Sequence, residues 1–164
     1  FPTRRSSDLV KLVDSSYTYT VESITVTGAK GGTATYTFGG TEGKGGNWNI
    51  TGSAPASGYS YTFDNTVTAK DGIYDYTQND NSLMLYPQSL TDAKIIVKYK
   101  TEKDNATFFN ASKEVSLTGE WTNGQSIRYI LTLPVGAEEM SVNTTYDENW
   151  DATDNEQTPK NPAS

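Results

Sequence analysis

The chain has 164 residues, of which 13 are basic and 20 acidic, and its net charge is −7 at pH 7. This length suits one domain and is short for two, and the negative charge disfavours nucleic acid and anionic membrane surfaces as partners. With neither Cys nor His, the chain excludes disulfides, Cys/His zinc sites, thiol nucleophiles and His-based triads within itself. Its 24 threonines and 11 tyrosines favour half-buried β-strands.

The first nine residues, FPTRRSSDL (Phe1–Leu9), differ from the rest of the chain. They are basic, and they lack both an alternating apolar pattern and the apolar stretch of a signal peptide. The segment resembles the translation of a common sequencing adapter joined to an incomplete gene; the alternative is a natural disordered arm. On either interpretation residues 1–9 lie outside the predicted fold, and we expect the true N-terminus to lie upstream.

Alternation of apolar and polar residues predicts short strands along the first half of the chain. After the strand Tyr17–Thr27, the glycines of Gly28–Gly32 predict a turn, so that Thr33–Phe38 pairs with the strand before it. Asp71-Gly72 is a dipeptide typical of tight hairpins. The other predicted strands of this half contain Trp48 and Ile50, then Tyr59, Tyr61 and Phe63, and then Tyr74 and Tyr76.

The second half predicts further strands at Ser82–Tyr86, Lys94–Lys100, Val115–Leu117, Ile127–Leu133 and Met140–Tyr146. Pro87 ends the first of them, because proline cannot continue a strand ladder. Asn123-Gly124 is a second hairpin signal. Trp121 and Trp150 are predicted to anchor the core or a sheet corner, since large aromatic residues dominate the energetics of sandwich cores.

The whole pattern indicates an all-β fold, because no window of ten or more residues has helical periodicity. About eight to ten short strands separated by turns are typical of an antiparallel β-sandwich. We predict a single domain over residues 10–150 and a polar C-terminal tail over residues 151–164. The chain also lacks the run of about 18 apolar residues that a membrane-spanning helix needs.

Four segments in order resemble the C-terminal domain of the fimbrillin family, the subunits of Bacteroidales type V pili and related surface lipoproteins. LMLYPQSL at Leu83–Leu90 is similar to the short apolar strand of that family ending in Pro-Gln, and IIVKY at Ile95–Tyr99 to the strand that follows. EWTNGQSIRYILTL at Glu120–Leu133 and the closing strand Met140–Trp150 complete the order. The resemblance implies a transthyretin-like or immunoglobulin-like β-sandwich that is one domain of a longer protein.

The resemblance also implies a function. Such a chain is a structural or adhesive subunit of a fimbrium (pilus), exported to the cell surface or outer membrane, and it is not an enzyme. Family members join when a β-strand of one subunit fills an edge groove of the next. The residues after Trp150, DATDNEQTPKNPAS, are a poor donor strand. If Met140–Tyr146 is needed for the chain's own sheet, we therefore expect a tip, accessory or non-polymerising subunit rather than a stalk subunit. The lipoprotein Cys of the family is expected outside this chain.

Two segments invite a chemical interpretation. Gly39–Gly46 contains Gly43-Lys44, but a phosphate-binding loop needs Gly where Phe38 stands and Ser or Thr where Gly45 stands, so we interpret it as a plain loop. An acidic cluster lacks the regular spacing of a calcium loop and is predicted to be solvated; its members are Asp147, Glu148, Asp151, Asp154 and Glu156. No catalytic, cofactor-binding or metal-binding residue is therefore predicted.

The tyrosines offer an alternative function. Flat aromatic rings on a β-sandwich can stack on sugar rings, which would make this chain a carbohydrate-binding module for host or microbial glycans. The competing interpretation is that the tyrosines pair across neighbouring strands on a sheet with one face exposed to solvent. The tyrosines concerned are Tyr17, Tyr19, Tyr59, Tyr61, Tyr74 and Tyr76.

Overall fold

The computed structural model describes residues 6–39, 46–62, 73–75, 85–123 and 126–147. These residues form ten β-strands, and none of them lies in a helix. The strands are β1 Ser6–Leu12, β2 Thr18–Thr27, β3 Ala34–Thr37, β4 Asn47–Ile50, β5 Tyr59–Thr62, β6 Ile73–Asp75, β7 Lys94–Lys103, β8 Ala106–Ser116, β9 Ser126–Leu133 and β10 Ser141–Asp147.

Two four-stranded sheets and one hairpin organise these strands. The first sheet has the order β5-β2-β7-β8 and is antiparallel throughout. The second sheet has the order β10-β9-β1-β6, and β3 pairs with β4 in a separate hairpin. In the second sheet β1 runs parallel to β9 along seven residue pairs, which corrects the prediction of purely antiparallel pairing. Parallel pairing is possible here because a long stretch of chain separates these strands and supplies the crossover connection that parallel strands require.

A single hydrophobic core joins the two sheets, as in a β-sandwich. Alternate residues of β2, β7 and β9 point into it, and the bulge between Val21 and Ser23 keeps the later residues of β2 in phase. The buried residues of these three strands are Tyr19, Val21, Ile24, Val26, Ile95, Val97, Tyr99, Thr101, Ile127, Tyr129, Leu131 and Leu133. The predicted all-β sandwich is thus confirmed. Within the described residues, no helix is long and apolar enough to cross a membrane.

Most strands with a strong alternating pattern lie where the sequence predicts them. The structure places β2, β7, β9 and β10 on the predicted segments, with β7 extending three residues beyond its predicted end at Lys100. Several other predictions lie outside the described residues. They concern Asp71-Gly72, Ser82–Met84, Gly124 and Trp150. The predicted domain limits at residues 10 and 150 stay predictions.

The predicted pairing of Thr33–Phe38 with the strand before it is wrong. In the structure β3 pairs with β4, while β2 has β5 and β7 as its neighbours. Gly28, at a φ of +74°, turns the chain away from β2 against the backbone of Asp92, and the Gln88 side chain then holds the backbone of Lys30. The chain therefore leaves the β2 sheet before β3 begins.

Two further differences concern turns and ends. The strands on either side of Asn123-Gly124 do not form a hairpin, because β8 belongs to one sheet while β9 pairs with β1 and β10 in the other. Strand β1 begins at Ser6, so residues 6–9 belong to the fold, contrary to the prediction that residues 1–9 lie outside it. Hydrogen-bonded pairing with β9, which begins at Ser6↔Ile127, accounts for their extended conformation.

Candidate functional site

The longest described strand, β8, lies at an edge of its sheet. Within the described part of the chain only β7 pairs with it, along ten residue pairs. An edge strand directs every second pair of backbone N–H and C=O groups away from its sheet, where they can accept another strand. Strand β8 therefore presents a template for strand addition, and we call Ala106–Ser116 the β8 edge.

A tight turn positions the β8 edge against β7. Asp104 and Asn105 connect the two strands with positive φ angles of 51° and 63°. Two central residues at positive φ make a type I′ turn, whose twist matches that of the flanking strands. Asp and Asn tolerate this conformation because their short polar side chains bond locally. The sequence thus fixes the register of the β8 edge through its turn.

A bulge divides the β8 edge into two parts. Thr101 faces Phe109 and Glu102 faces Thr107, so Phe108 is an extra residue without a partner in β7. The ring of Phe109 packs 5.0 Å from the ring of Tyr99 in the core. The ring of Phe108 lies 5.5 Å from that of Tyr17 and remains 63% exposed. The bulge leaves Phe109–Ser116 as a regular segment of strand.

The inward face of this regular segment is partly covered. Lys113 is half-buried; its ammonium lies 5.1 Å from the centre of the Phe109 ring and donates a 2.7 Å hydrogen bond to the carbonyl oxygen of Glu138. Ala111 lies opposite Tyr99, and Val115 lies opposite Ile95. The lysine side chain is thus directed along the sheet rather than out from its edge.

The outward face of the same segment is polar. Asn110, Ser112 and Glu114 are exposed there, and Glu114 forms a 2.8 Å ion pair with Lys94 of β7. Both partners of this ion pair are exposed, so it adds at most about 1 kcal/mol to stability. The exposed face of this segment is therefore made of short polar side chains and one paired carboxylate.

The connection between β9 and β10 fastens the two sheets together beneath the β8 edge. The Tyr99 hydroxyl donates to the carbonyl oxygen of Pro134 at 2.8 Å, and the Thr101 hydroxyl donates to that of Val135 at 2.7 Å. Burial raises the pKa of the Tyr99 hydroxyl, so it remains a donor at neutral pH. These bonds satisfy two buried hydroxyls and hold β7 and β8 rigidly against the second sheet.

The tyrosines predicted as a possible sugar-stacking platform do not share one surface. Tyr19 is 1% exposed and stacks in the core on Tyr99, with ring centres 6.2 Å apart. Burial accordingly raises the pKa of Tyr19. Tyr17 and Tyr59 are half-buried and pack against the core. The side chains of Tyr61, Tyr74 and Tyr76 lie outside the described residues.

The two chemical candidates of the sequence also fall largely outside the described residues. Gly43-Lys44 and most of the acidic cluster lie there, and only the backbone of Asp147 is described. Among the described residues, no group of three or more Asp, Glu, His or Cys side chains is arranged to hold a metal ion. The absence of catalytic, cofactor and metal residues stays a prediction.

Comparison with known proteins gives a likeness among solved structures only. No protein-family model matches the chain, and no curated protein matches it. Among solved structures, the chain is similar to a fimbrial protein from Bacteroides vulgatus at 14% sequence identity and a TM-score of 0.49. The similarity covers 86% of this chain and 54% of that one, so the chain spans about half the length of this neighbour.

Proposed function

We propose that this chain is a structural or adhesive domain of a fimbrial subunit at the cell surface, and that it accepts a β-strand of a neighbouring protein along the β8 edge. The observation that carries the proposal is the eleven-residue edge strand, which has a partner on only one side among the described residues. In strand addition, main-chain hydrogen bonds supply affinity and alternate side chains supply specificity. Such a role requires no catalytic group.

The order of motifs in the sequence supports the same role. Gln88 belongs to the Pro-Gln pair of the first segment that resembles the family. It stabilises the fold, because its side chain forms two hydrogen bonds with the backbone of Lys30. Trp121, from the third segment of the resemblance, is 4% exposed and lies in the core. These residues stabilise the sandwich that presents the β8 edge.

The pairing of the last described strand bears on the position that we propose for the subunit. Strand β10 pairs with β9 along seven residues, from Ser141↔Thr132 to Asp147↔Ser126. A strand engaged in this way is not free to fill the groove of another subunit. We therefore propose a tip or accessory role at the cell surface or outer membrane rather than a stalk role. Regular fibres formed by the purified full-length protein alone would contradict this part of the proposal.

Proline substitution tests the β8 edge directly. Neighbouring residues of an antiparallel strand direct their N–H groups to opposite sides, so either Ala111 or Ser112 directs its N–H towards β7 and the other directs it outwards. Proline removes that N–H. We expect one of the variants Ala111→Pro and Ser112→Pro to lower the melting temperature strongly, and the other to keep it nearly unchanged.

The variant that keeps its melting temperature is the informative one, because its internal hydrogen bonds are intact. We expect it to lose incorporation into surface fimbriae, measured by immunogold labelling of whole cells that express the full-length protein. Thr118→Pro, just beyond β8 in a segment without strand structure, serves as the control for a proline at an exposed position. Normal labelling of the stable β8 variant would show that the β8 edge takes no part in assembly.

A further inference from the structure

The regular part of the β8 edge is complementary to itself. We propose that β8 pairs with β8 of a second copy of this chain, antiparallel and with Ser112 on the two-fold axis. The β5-β2-β7-β8 sheets of the two copies would then form one sheet of eight strands. This inference rests on the proposed function, because it uses the same edge, and it names the partner. Pairing between identical edges is the simplest closed arrangement that a strand can form.

The geometry of a two-fold axis restricts the register. An axis perpendicular to the sheet keeps inward side chains opposite inward side chains, so facing residues differ by an even number. The bulge at Phe108 limits regular pairing to Phe109–Ser116. An axis at Ala111 would bring Val115 opposite Thr107, beyond the bulge. Only axes at Ser112 or Lys113 keep three pairs on each side within the regular segment.

Charge then selects between the two axes. An axis at Lys113 places the two Lys113 side chains directly opposite each other, and like charges in this arrangement are destabilising. An axis at Ser112 places Lys113 opposite Ala111, whose small side chain leaves room for the lysine stem. It also places Glu114 opposite Asn110, which can donate an amide hydrogen bond to the carboxylate. No pair of like charges arises in this register.

The Ser112 register also brings the apolar side chains of the edge together. Phe109 of one copy faces Val115 of the other, and symmetry repeats this pair on both sides of the axis. Pairs of an aromatic and a β-branched residue are among the most favourable cross-strand contacts. Both side chains are half-buried within one chain, so pairing removes further apolar surface from water.

Single cysteines test this register, because the chain contains no Cys of its own. On the axis, the two copies of residue 112 have Cα atoms about 4.5–5.5 Å apart, within the range of a disulfide. The two copies of residue 110 are four residues apart along the strands, about 13 Å. We expect Ser112→Cys to form a cross-linked dimer under mild oxidation at least tenfold faster than the equally exposed Asn110→Cys, as judged by non-reducing gel electrophoresis.

A second variant tests the interface without a cross-link. Ala111→Lys places a new positive charge opposite Lys113 of the second copy, so we expect at least tenfold weaker dimerisation by sedimentation equilibrium. Ala106→Lys adds the same charge at an exposed position outside the regular segment and should dimerise like the unmodified chain. Equal cross-linking at positions 110 and 112, or a monomeric unmodified chain, would overturn the inference. A monomer whose stable proline variant still loses fimbrial incorporation overturns only this inference and leaves the proposed function intact.

Discussion

The indole N–H of Trp121 donates a 2.7 Å hydrogen bond to the hydroxyl of Tyr129 in the interior of the sandwich. The two residues are 4% and 2% exposed. The backbone N–H of Trp121 also donates to the carbonyl oxygen of Gln88 at 2.8 Å. Trp121 thus fixes the connection that passes from the sheet of β8 to the sheet of β9. This position confirms the predicted role of Trp121 as an anchor of the core.

Substitution of either partner should destabilise the fold. We expect Trp121→Phe to lower the free energy of unfolding by about 2–4 kcal/mol, because it removes buried volume together with the donor to Tyr129. Tyr129→Phe removes the hydroxyl that accepts this hydrogen bond and should cost about 1–3 kcal/mol. Urea unfolding of both variants and of the double variant measures the coupling between them. Additive losses would show that the hydrogen bond contributes nothing to stability.

Gln88 binds the backbone of Lys30 on both of its polar groups. Its Oε1 accepts from the Lys30 N–H at 2.7 Å, and its Nε2 donates to the Lys30 carbonyl oxygen at 2.9 Å. We expect Gln88→Ala to cost about 1–2 kcal/mol and to accelerate hydrogen exchange of the Lys30 amide. Gln88→Glu should be at least as unfavourable, because a carboxylate oxygen would replace the donor that faces this carbonyl.

The neighbouring substitution Ser89→Ala is the control for Gln88. It removes an exposed hydroxyl that bonds the hydroxyl of Thr91. We expect a change in stability within about 0.5 kcal/mol and no change at the Lys30 amide. An unaltered rate of hydrogen exchange at the Lys30 amide in Gln88→Ala would show that Gln88 does not hold the Lys30 backbone.

Alanine substitution of two glycines at positive φ distinguishes the cost of backbone strain from the cost of steric overlap. Gly28 has a φ of +74°, and a Cβ there would overlap the carbonyl oxygen of Asp92. Gly119 has a φ of +86°, and a Cβ there would meet no atom within 4 Å. We expect Gly119→Ala to cost about 1–2 kcal/mol, the cost of a left-handed conformation alone. Gly28→Ala should cost at least about 2 kcal/mol more, as measured by thermal unfolding. Equal losses in the two variants would refute the close approach of Gly28 to Asp92.

The buried Tyr99 hydroxyl should make stability depend on alkaline pH. Burial raises its pKa in the folded chain above the ordinary value of 10.0. As the pH rises above that value, the unfolded chain loses this proton first, so stability falls with pH, by at most about 1.4 kcal/mol per unit. Below pH 10.0 this group leaves stability independent of pH. Tyr19, whose pKa burial also raises, acts in the same direction.

Tyr99→Phe isolates this effect. The variant loses the hydrogen bond to Pro134, so we expect it to be about 1 kcal/mol less stable at neutral pH. Its stability should then fall less steeply than that of the unmodified chain between about pH 10 and about pH 12. Urea unfolding across this interval gives both slopes. Parallel curves would mean that Tyr99 ionises equally in the folded and unfolded chain.

The alternation of apolar and polar residues is sufficient to predict the position of strands that are buried on one face. Ile95, Val97 and Tyr99 alternate with polar or half-exposed residues, and β7 lies on its predicted segment. The strand predicted at Val115–Leu117 covers only the end of β8. The rest of β8 lacks the pattern because the bulge places Phe108 and Phe109 in succession and because most of its side chains are exposed on both faces. The candidate site is therefore the part of the fold that the pattern predicts least well. The signal that remained was the turn at Asp104-Asn105, a type of dipeptide typical of hairpins.

Pairing between strands was harder to predict than the strands themselves. The glycine-rich segment before β3 suggested a local hairpin, but Gln88, which is 58 residues away from Lys30, directs the chain elsewhere. Asn123-Gly124 suggested another hairpin, although the partner of β9 on one side is β1. A dipeptide reports only whether a turn can form. The choice of neighbour depends on the core that distant segments build together.

The parallel pair of β1 and β9 has a consequence for the order of events during synthesis. Ser6 pairs with Ile127, so the partners are 121 residues apart (127 − 6). At about 5–20 residues per second, β9 leaves the ribosome roughly 6–24 s after β1. During that interval β1 can pair only with β6, in which Tyr74 lies opposite Val10, while its β9 side stays open. The sheet of β2 and β7 can close earlier, whereas the sheet of β1 is completed last and slowly, because its contacts are distant in the chain. A newly made chain therefore exposes the β9 side of β1 until its later part has been synthesised.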